Sequence, residues 1–189
     1  MSDDMTTAGF DGQVREAQES LRVLFICTGN SARSQIAEAL LRRKGRDRFE
    51  VGSAGARPAA AVHPNTLAVL REYGIDWSAA RPKGFDAIAD RAWDLVITVC
   101  DRIKEDCPTF PGKPVFAHWG VPDPAAISAD EPRRLAFRDA VQFLSRRIDL
   151  LLALPLERLE RRALELRLQG NDDEHVPDAY GSRFGEASG

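Results

Sequence analysis

The chain has 189 residues, 43% hydrophobic and 29% charged, with a formal net charge of −3. That length sustains one domain with its own core, the charge gives no overall pull toward nucleic acid, and no apolar run approaches the roughly 18 residues a membrane span needs. Three cysteines, an odd number in a chain large enough to fold without staples, argue against structural disulfides and for thiol chemistry in a reducing, cytoplasmic setting.

Residues 1–20 are polar and lack the apolar core of a secretion signal; they read as a flexible arm with room for a short helix over 14–20. Residues 21–26 are almost continuously apolar, as in a strand covered on both faces. Ile36, Ala37, Leu40 and Leu41 stand at helical spacing within 35–44. A second strand is expected over 49–53, weakened by Gly52, and Gly55 with Pro58 marks a loop. Pro64 suits a first helical turn, Leu67, Val69, Leu70 and Tyr73 continue it, and Gly74 ends it.

Residues 75–90 read as loop with a short helix near 85–89. The third apolar run, 95–99, ends at Cys100. A fourth, short strand is expected over 113–117, placed near an edge by Pro111 and Pro114. A long amphipathic helix follows over 133–154, with Leu135, Phe137, Val141, Phe143, Leu144, Ile148, Leu151 and Leu152, and Pro155 ends it. Residues 156–169 read as a charged helical stretch before Gly170. Its stripe of Leu156, Leu159, Ala163 and Leu166 allows either a solvated helix or a weak pairing surface, so a monomer or a weak homodimer is expected. The tail reads as disordered.

Strands alternate with helices, which predicts an α/β fold: a four-stranded parallel sheet flanked by helices on both faces, with an extra C-terminal helix. The expected division is arm 1–20, catalytic domain 21–154, helical extension 155–170 and tail 171–189. There is no internal repeat.

The chemistry concentrates in the turn after the first strand, Cys27-Thr28-Gly29-Asn30-Ser31-Ala32-Arg33-Ser34. Ligands of open parallel sheets sit beyond the strands' carboxyl ends. There, loop amides and a helix N-terminus favour an anion. Gly29 permits the bend, Asn30 adopts unusual dihedrals or braces the loop, and Arg33 offers a two-pronged donor. The same field favours the Cys27 thiolate, which Ser34 can stabilise by a hydrogen bond. A cysteine at a strand end is often only a small buried hydrophobe. The C-x5-R-S context between strand and helix favours a nucleophile instead. Neither GxxxxGK[ST] nor GxGxxG is present, so this is no nucleotide loop.

CTGNSARS closely resembles the nucleophile loop of the low-molecular-weight tyrosine phosphatase superfamily, over about residues 21–150. The resemblance implies that Cys27 attacks a tetrahedral oxyanion held by Arg33 and by residues Thr28 through Ser34. The superfamily divides into phosphatases and arsenate reductases.

Two further cysteines bear on that division. Cys100 ends the third strand and should face the same sheet edge as Cys27, and Cys107 follows seven residues later. On an intact helix those two would stand about 10 Å apart along the axis. A disulfide requires Cα atoms within about 7 Å, so their pairing requires the segment to bend. Two unrelated free thiols are the alternative. A zinc site lacks a compact ligand pattern, and no metal or organic cofactor is expected. The trio is similar to that of the thioredoxin-coupled arsenate reductases, which implies a relay through Cys27, Cys100 and Cys107.

In HWGVPDPA, residues 118–125, the resemblance makes Asp123 of Asp123-Pro124 the general acid; a solvent-facing loop aspartate is the plainer reading. Ala125 stands where the phosphatases usually carry an aromatic residue, and the HWG before it looks like the reductase branch, with Trp119 expected to pack. Ala32 replaces a further loop cysteine of many relatives. In some family members a potassium ion lies near the counterparts of Asn30 and Ser53. His63 is expected to begin a helix. The basic run Arg42, Arg43, Lys44, Arg46 and Arg48 reads as a solvated helix end rather than a nucleic-acid site.

The expected activity is reduction of arsenate to arsenite, with phosphate or sulfate fitting the same loop and thioredoxin as partner. A phosphatase for phosphotyrosine or small aryl phosphates, a reductase fed by a small thiol, and a non-catalytic oxyanion-binding module remain as alternatives.

Overall fold

The computed structural model describes residues 20–104, 108–112 and 114–155. The arm, Cys107, the extension beyond Pro155 and the tail lie outside the described residues.

Four strands, β1 (Leu21–Cys27), β2 (Phe49–Gly55), β3 (Leu95–Thr98) and β4 (Val115–His118), form one parallel sheet in the order β2-β1-β3-β4. Helices α1 (Arg33–Gly45) and α2 (Pro64–Glu72) lie between strands and α3 (Asp130–Ala153) follows β4, with 3₁₀ turns at Arg46–Arg48, Asp86–Ile88, Asp101–Lys104 and Pro124–Ala126. The elements predicted within the described residues are therefore present, most with ends displaced by one to three residues. No helix among the described residues is long and apolar enough to cross a membrane.

Register fixes the two faces. Leu24 pairs with Gly52 and Val96, and Val96 with Phe116, so these four share one face; Phe25, Ser53, Ile97 and Ala117 share the other. Trp93 and Phe110, from the short turns and loops before β3 and β4, cover the first. A Cβ on Gly52 would lie 2.6 Å from the Trp93 ring, and Phe110 packs on Phe116 at 6.3 Å. The glycine that weakened the expected strand is thus what admits a tryptophan. Helix α1 covers the second face, with Glu38 reaching Ser53.

Helix α3 packs on α1 and α2 through Phe137, Ala140, Val141, Leu144, Ile148 and Leu151. Leu135 and Phe143, counted in its apolar stripe from sequence, are exposed instead, because they flank the side that meets α1. Strand β4 is an edge strand, as its prolines predicted, with Val115 and Phe116 partly open to solvent. The chain leaves β1 toward β2 on one side and β3 toward β4 on the other. The crevice between the carboxyl ends of β1 and β3 is therefore the sheet's topological switch point.

Candidate active site

Cys27 ends β1 beside Gly55 of β2, and the chain turns through 28–32 into α1. The turn is strapped from outside. The carbonyls of Cys27, Thr28, Gly29 and Ser31 accept N–H bonds from Ala56, Arg57, Ala59 and His63 at 2.8–3.3 Å. Across each trans peptide the following N–H points the other way, so the amides of Thr28, Gly29, Asn30 and Ala32 face the side away from that strap. That is the form of an anion nest. The Asn30 amide reaches Cys27 Sγ at 3.2 Å, and Ser34 Oγ lies 2.9 Å from the same sulfur. Cys27 is buried, with the Asn30 N–H and the Ser34 hydroxyl both at its sulfur.

The left-handed residue of the turn is Asn30 (φ 46°), and Gly29 is not left-handed. Asn30 also braces the loop with every capacity of its amide. Nδ2 donates to Ser34 Oγ and Ser53 Oγ at 2.9 and 2.8 Å, and Oδ1 accepts from Gln35 Nε2 and the Lys83 amide at 3.0 and 2.7 Å. Gly55 is needed for a different reason: a Cβ there would lie 2.7 Å from Thr28 O and 2.8 Å from Asn30 N.

Arg33, the first residue of α1, is largely buried. Its outer nitrogens meet Asp123 Oδ2 at 3.0 Å and Val121 O at 3.1 Å. Its Nε is buried and has no hydrogen-bond partner among the described residues, leaving a donor for an oxyanion. Asp123 caps the turn Pro124–Ala126, accepting from Ala125 N at 3.1 Å. The residue pair expected from sequence is therefore assembled across the mouth of the loop. Cys100 is buried just past β3, with Sγ 3.5 Å from Thr28 Oγ1, on the same sheet edge as Cys27; both thiols are free. Cys107 lies outside the described residues. Ala125 is exposed and supplies no aromatic wall.

Sequence reasoning offered Ser53 as a support beneath the loop, which its bond to Asn30 bears out, but missed the carboxylate behind it. Glu38 is buried on α1, with Ser53 Oγ donating to Oε2 at 2.5 Å, Arg42 on Oε1 at 2.6 Å and Lys83 Nζ at 3.4 Å. A carboxylate among Ala37, Ala39 and Leu40 on the inner helix face was the available signal. Arg42 also donates to Val51 O, and Lys44 bridges to Ser145 and Asp149 of α3, so two members of the basic run staple elements rather than merely solvate a helix end. Among the described residues no three His, Cys, Asp or Glu side chains are grouped to hold a metal ion. The oxygens near Asn30 and Ser53 do not suit a potassium ion, because Asn30 Oδ1 is already occupied by two donors and the Glu38 charge is met by an ammonium and a guanidinium.

His63 caps α2, its Nδ1 accepting from Asn65 N at 3.1 Å, and stacks on Phe137 at 4.7 Å. Burial, and then the nearby Arg133, lower its pKa below 6.5, against an opposing pull from Asp123. A groove of about 400 Å³ runs from Asp123 along α3 to Phe143 and Arg146, but no residue of 27–34 lines it.

A family model described as low molecular weight phosphotyrosine protein phosphatase matches residues 22–164, running past Pro155. An arsenate reductase of Halalkalibacterium halodurans is 37% identical over 127 residues, 67% of this chain and 91% of that one. Among solved structures, the thioredoxin-dependent arsenate reductase of Corynebacterium glutamicum superposes with a TM-score of 0.56 at 33% identity, covering 77% of this chain but only 65% of its own. An arsenate reductase in the phosphate-binding state superposes at 0.58 with 29% identity, over 70% of this chain and 97% of that one.

Proposed function

Since the chain belongs to the low molecular weight phosphotyrosine protein phosphatase family, we propose that it reduces arsenate to arsenite, with thioredoxin as the source of electrons. The observation that carries this reading is the second buried thiol: Cys100 Sγ beside Thr28 at the mouth of the loop, a group that ester hydrolysis does not require. The names of its relatives support the same substrate and donor.

Arsenate docks on the loop amides and Arg33 Nε, its charge compensated by donors aimed in advance. The arriving anion competes with Asp123 for Arg33, which frees the carboxyl to face the reacting oxygen and serve as proton donor at the site. The Cys27 thiolate attacks arsenic; one oxygen leaves with the Asp123 proton, as water once a second proton is added, and a Cys27–arsenate adduct remains. The Cys100 thiolate then attacks Cys27 Sγ. The S–As electron pair stays with arsenic, which departs as arsenite at oxidation state three, and Cys27 is left joined to Cys100. Cys107 attacks Cys100, releasing the Cys27 thiolate and forming the 100–107 disulfide, which the thioredoxin dithiol reduces by exchange. The catalytic domain we assign is 21–154, working in a reducing, cytoplasmic setting. Phosphate and sulfate share the shape and charge that the loop accepts, so slow aryl phosphate hydrolysis accompanies the main reaction.

The test is one assay series: arsenate turnover with reduced thioredoxin, with a glutaredoxin system, and with no donor, alongside aryl phosphate hydrolysis. Cys27→Ser should abolish both activities. Cys100→Ser should abolish arsenate turnover and keep hydrolysis, and Cys107→Ser should release one arsenite per chain and stop. Undiminished thioredoxin-linked turnover in Cys107→Ser would disprove the relay. Hydrolysis without any arsenate reduction would make the chain a phosphatase.

A further inference from the structure

The HWG motif is not consumed by the mechanism above, yet it converges on the second thiol. His118, the last residue of β4, lies on the same sheet face as Thr98 of β3, its register partner. Its Nδ1 is 2.6 Å from Thr98 Oγ1 and its Nε2 is 2.8 Å from Asp101 Oδ1. Thr98 and Asp101 bracket Cys100. The imidazole thus spans the turn that carries the thiol, from the end of β3 to the 3₁₀ turn Asp101–Lys104.

Backbone bonds tie Val99 to Ile26 and Val121 to Val99, and Ile103 is buried beyond. Between those anchors, His118 grips the turn from the edge strand. Asp101 can only accept, so Nε2 carries a proton. The neutral ring accepts the Thr98 hydroxyl at Nδ1. The charged ring donates there, while Thr98 turns its hydroxyl to Ala117 O at 3.4 Å. Both protonation states make the same two contacts. Gly120 explains the motif's third letter: a Cβ there would lie 2.9 Å from His118 Nε2 and 3.3 Å from Asp101 Oδ1. Trp119 packs on Phe25 at 5.8 Å, anchoring the motif to β1. Asp101 is 79% exposed, so this pair adds little to global stability; what it can set is position.

We propose that His118 is a positioning residue that holds the Cys100 turn against the nucleophile loop, so that Cys100 Sγ is seated for attack on Cys27. This rests on the arsenate-reductase reading for its consequence in turnover, but the seating itself can be measured without it.

The first measurement is alkylation of Cys100 by iodoacetamide in the Cys27→Ser/Cys107→Ser chain, followed by mass spectrometry. His118→Ala should speed alkylation at least about tenfold, because a buried thiol is released. Gly120→Ala, which displaces the ring, should do the same, as should Asp101→Leu. Asp101→Asn, which keeps an acceptor for Nε2–H, should restore protection. The second measurement is single-turnover arsenite release in the Cys107→Ser background. His118→Ala should slow it by about 10- to 100-fold, the range expected for misplacing a reacting atom by about 1 Å, while aryl phosphate hydrolysis stays within about twofold. Unchanged alkylation, or hydrolysis lost in parallel with arsenite release, would overturn the proposal. Faster alkylation in a protein whose wild type never reduces arsenate would uphold the seating and refute the assigned activity.

Discussion

Gly55→Ala tests how the nucleophile loop is held. Gly55 pairs with Cys27 at the end of β2, and its Cα faces the turn so closely that a methyl group would stand 2.7 Å from Thr28 O, 2.8 Å from Asn30 N and 3.0 Å from Asn30 Cβ. Two of these are backbone atoms, so no side chain can rotate away. Ordinary contact begins near about 3.4 Å, and the loop must therefore recede by roughly half an ångström or more. Overpacking of this kind costs about 1–3 kcal/mol. The same displacement moves the Asn30 amide from Cys27 Sγ and disturbs the nest. Since a 1 Å error in positioning costs up to about 10²-fold in rate, about a tenfold fall in kcat/KM for aryl phosphate is expected. Urea unfolding measures the first effect and steady-state hydrolysis the second. Gly29→Ala is the control: its Cβ would touch only Ser31 Oγ at 3.6 Å and the backbone there is not left-handed, so stability should change by less than about 0.5 kcal/mol. A Gly55→Ala protein with full activity and full stability would show that the loop is not set by this contact.

Glu38→Leu removes a buried acceptor from Ser53 and should cost about 2–4 kcal/mol in urea unfolding, whereas Glu38→Gln, which still accepts from Ser53, should cost less than half of that, since Arg42 and Lys83 reach solvent. Equal losses would mean that the ion pairs, rather than the Ser53 bond, support the loop. His63 accepts the Asn65 N–H in its neutral form and its pKa lies below 6.5, so its contribution is complete above 6.5 and is lost as pH falls through the lowered folded value. His63→Ala should cost about 1 kcal/mol above that range and less below it, while His63→Asn keeps a cap and flattens the difference; a variant-to-wild-type gap that widens in acid would refute this. Trp119→Ala should cost about 3–5 kcal/mol through lost packing on Phe25, and a loss below 1 kcal/mol would remove it from the core.

What the sequence disclosed depended on whether the cause was local. Periodicity and a proline at the first turn were enough for α2, and a continuous apolar run was enough for β1. The loop's cluster of side chains was also legible, because Cys27, Asn30, Arg33 and Ser34 lie within eight residues. The left-handed position falls on Asn30, which the sequence had offered for unusual dihedrals or for bracing the loop; its side chain has partners in α1, in β2 and at Lys83 to repay that conformation. Gly55 and Glu38 were opaque for a common reason. The need for each arises from groups distant in sequence, such as Thr28 O for the first and Ser53 and Lys83 for the second. No pattern on a single helix or strand reports such a contact.

The strand order explains how two chemistries can share one loop. β1 and β3 are neighbours whose connections depart in opposite directions, so the crevice between their ends is open to ligand and flanked by both strands' next residues. On the proposed reading, the β1 side carries the nucleophile, its nest and its arginine, which suffice for attack on a tetrahedral oxyanion. The β3 side needs only a thiol two residues past its end, and a turn held at the right height, to bring a second sulfur beside Thr28. On the proposed reading, reduction is then an addition to ester-cleaving machinery rather than a rebuilding of it. The addition comprises β3, β4, the turn between Thr98 and Lys104, and Cys107 beyond it in the sequence. Substitutions there should separate the two activities, and substitutions of Cys27 or Arg33 should abolish both together.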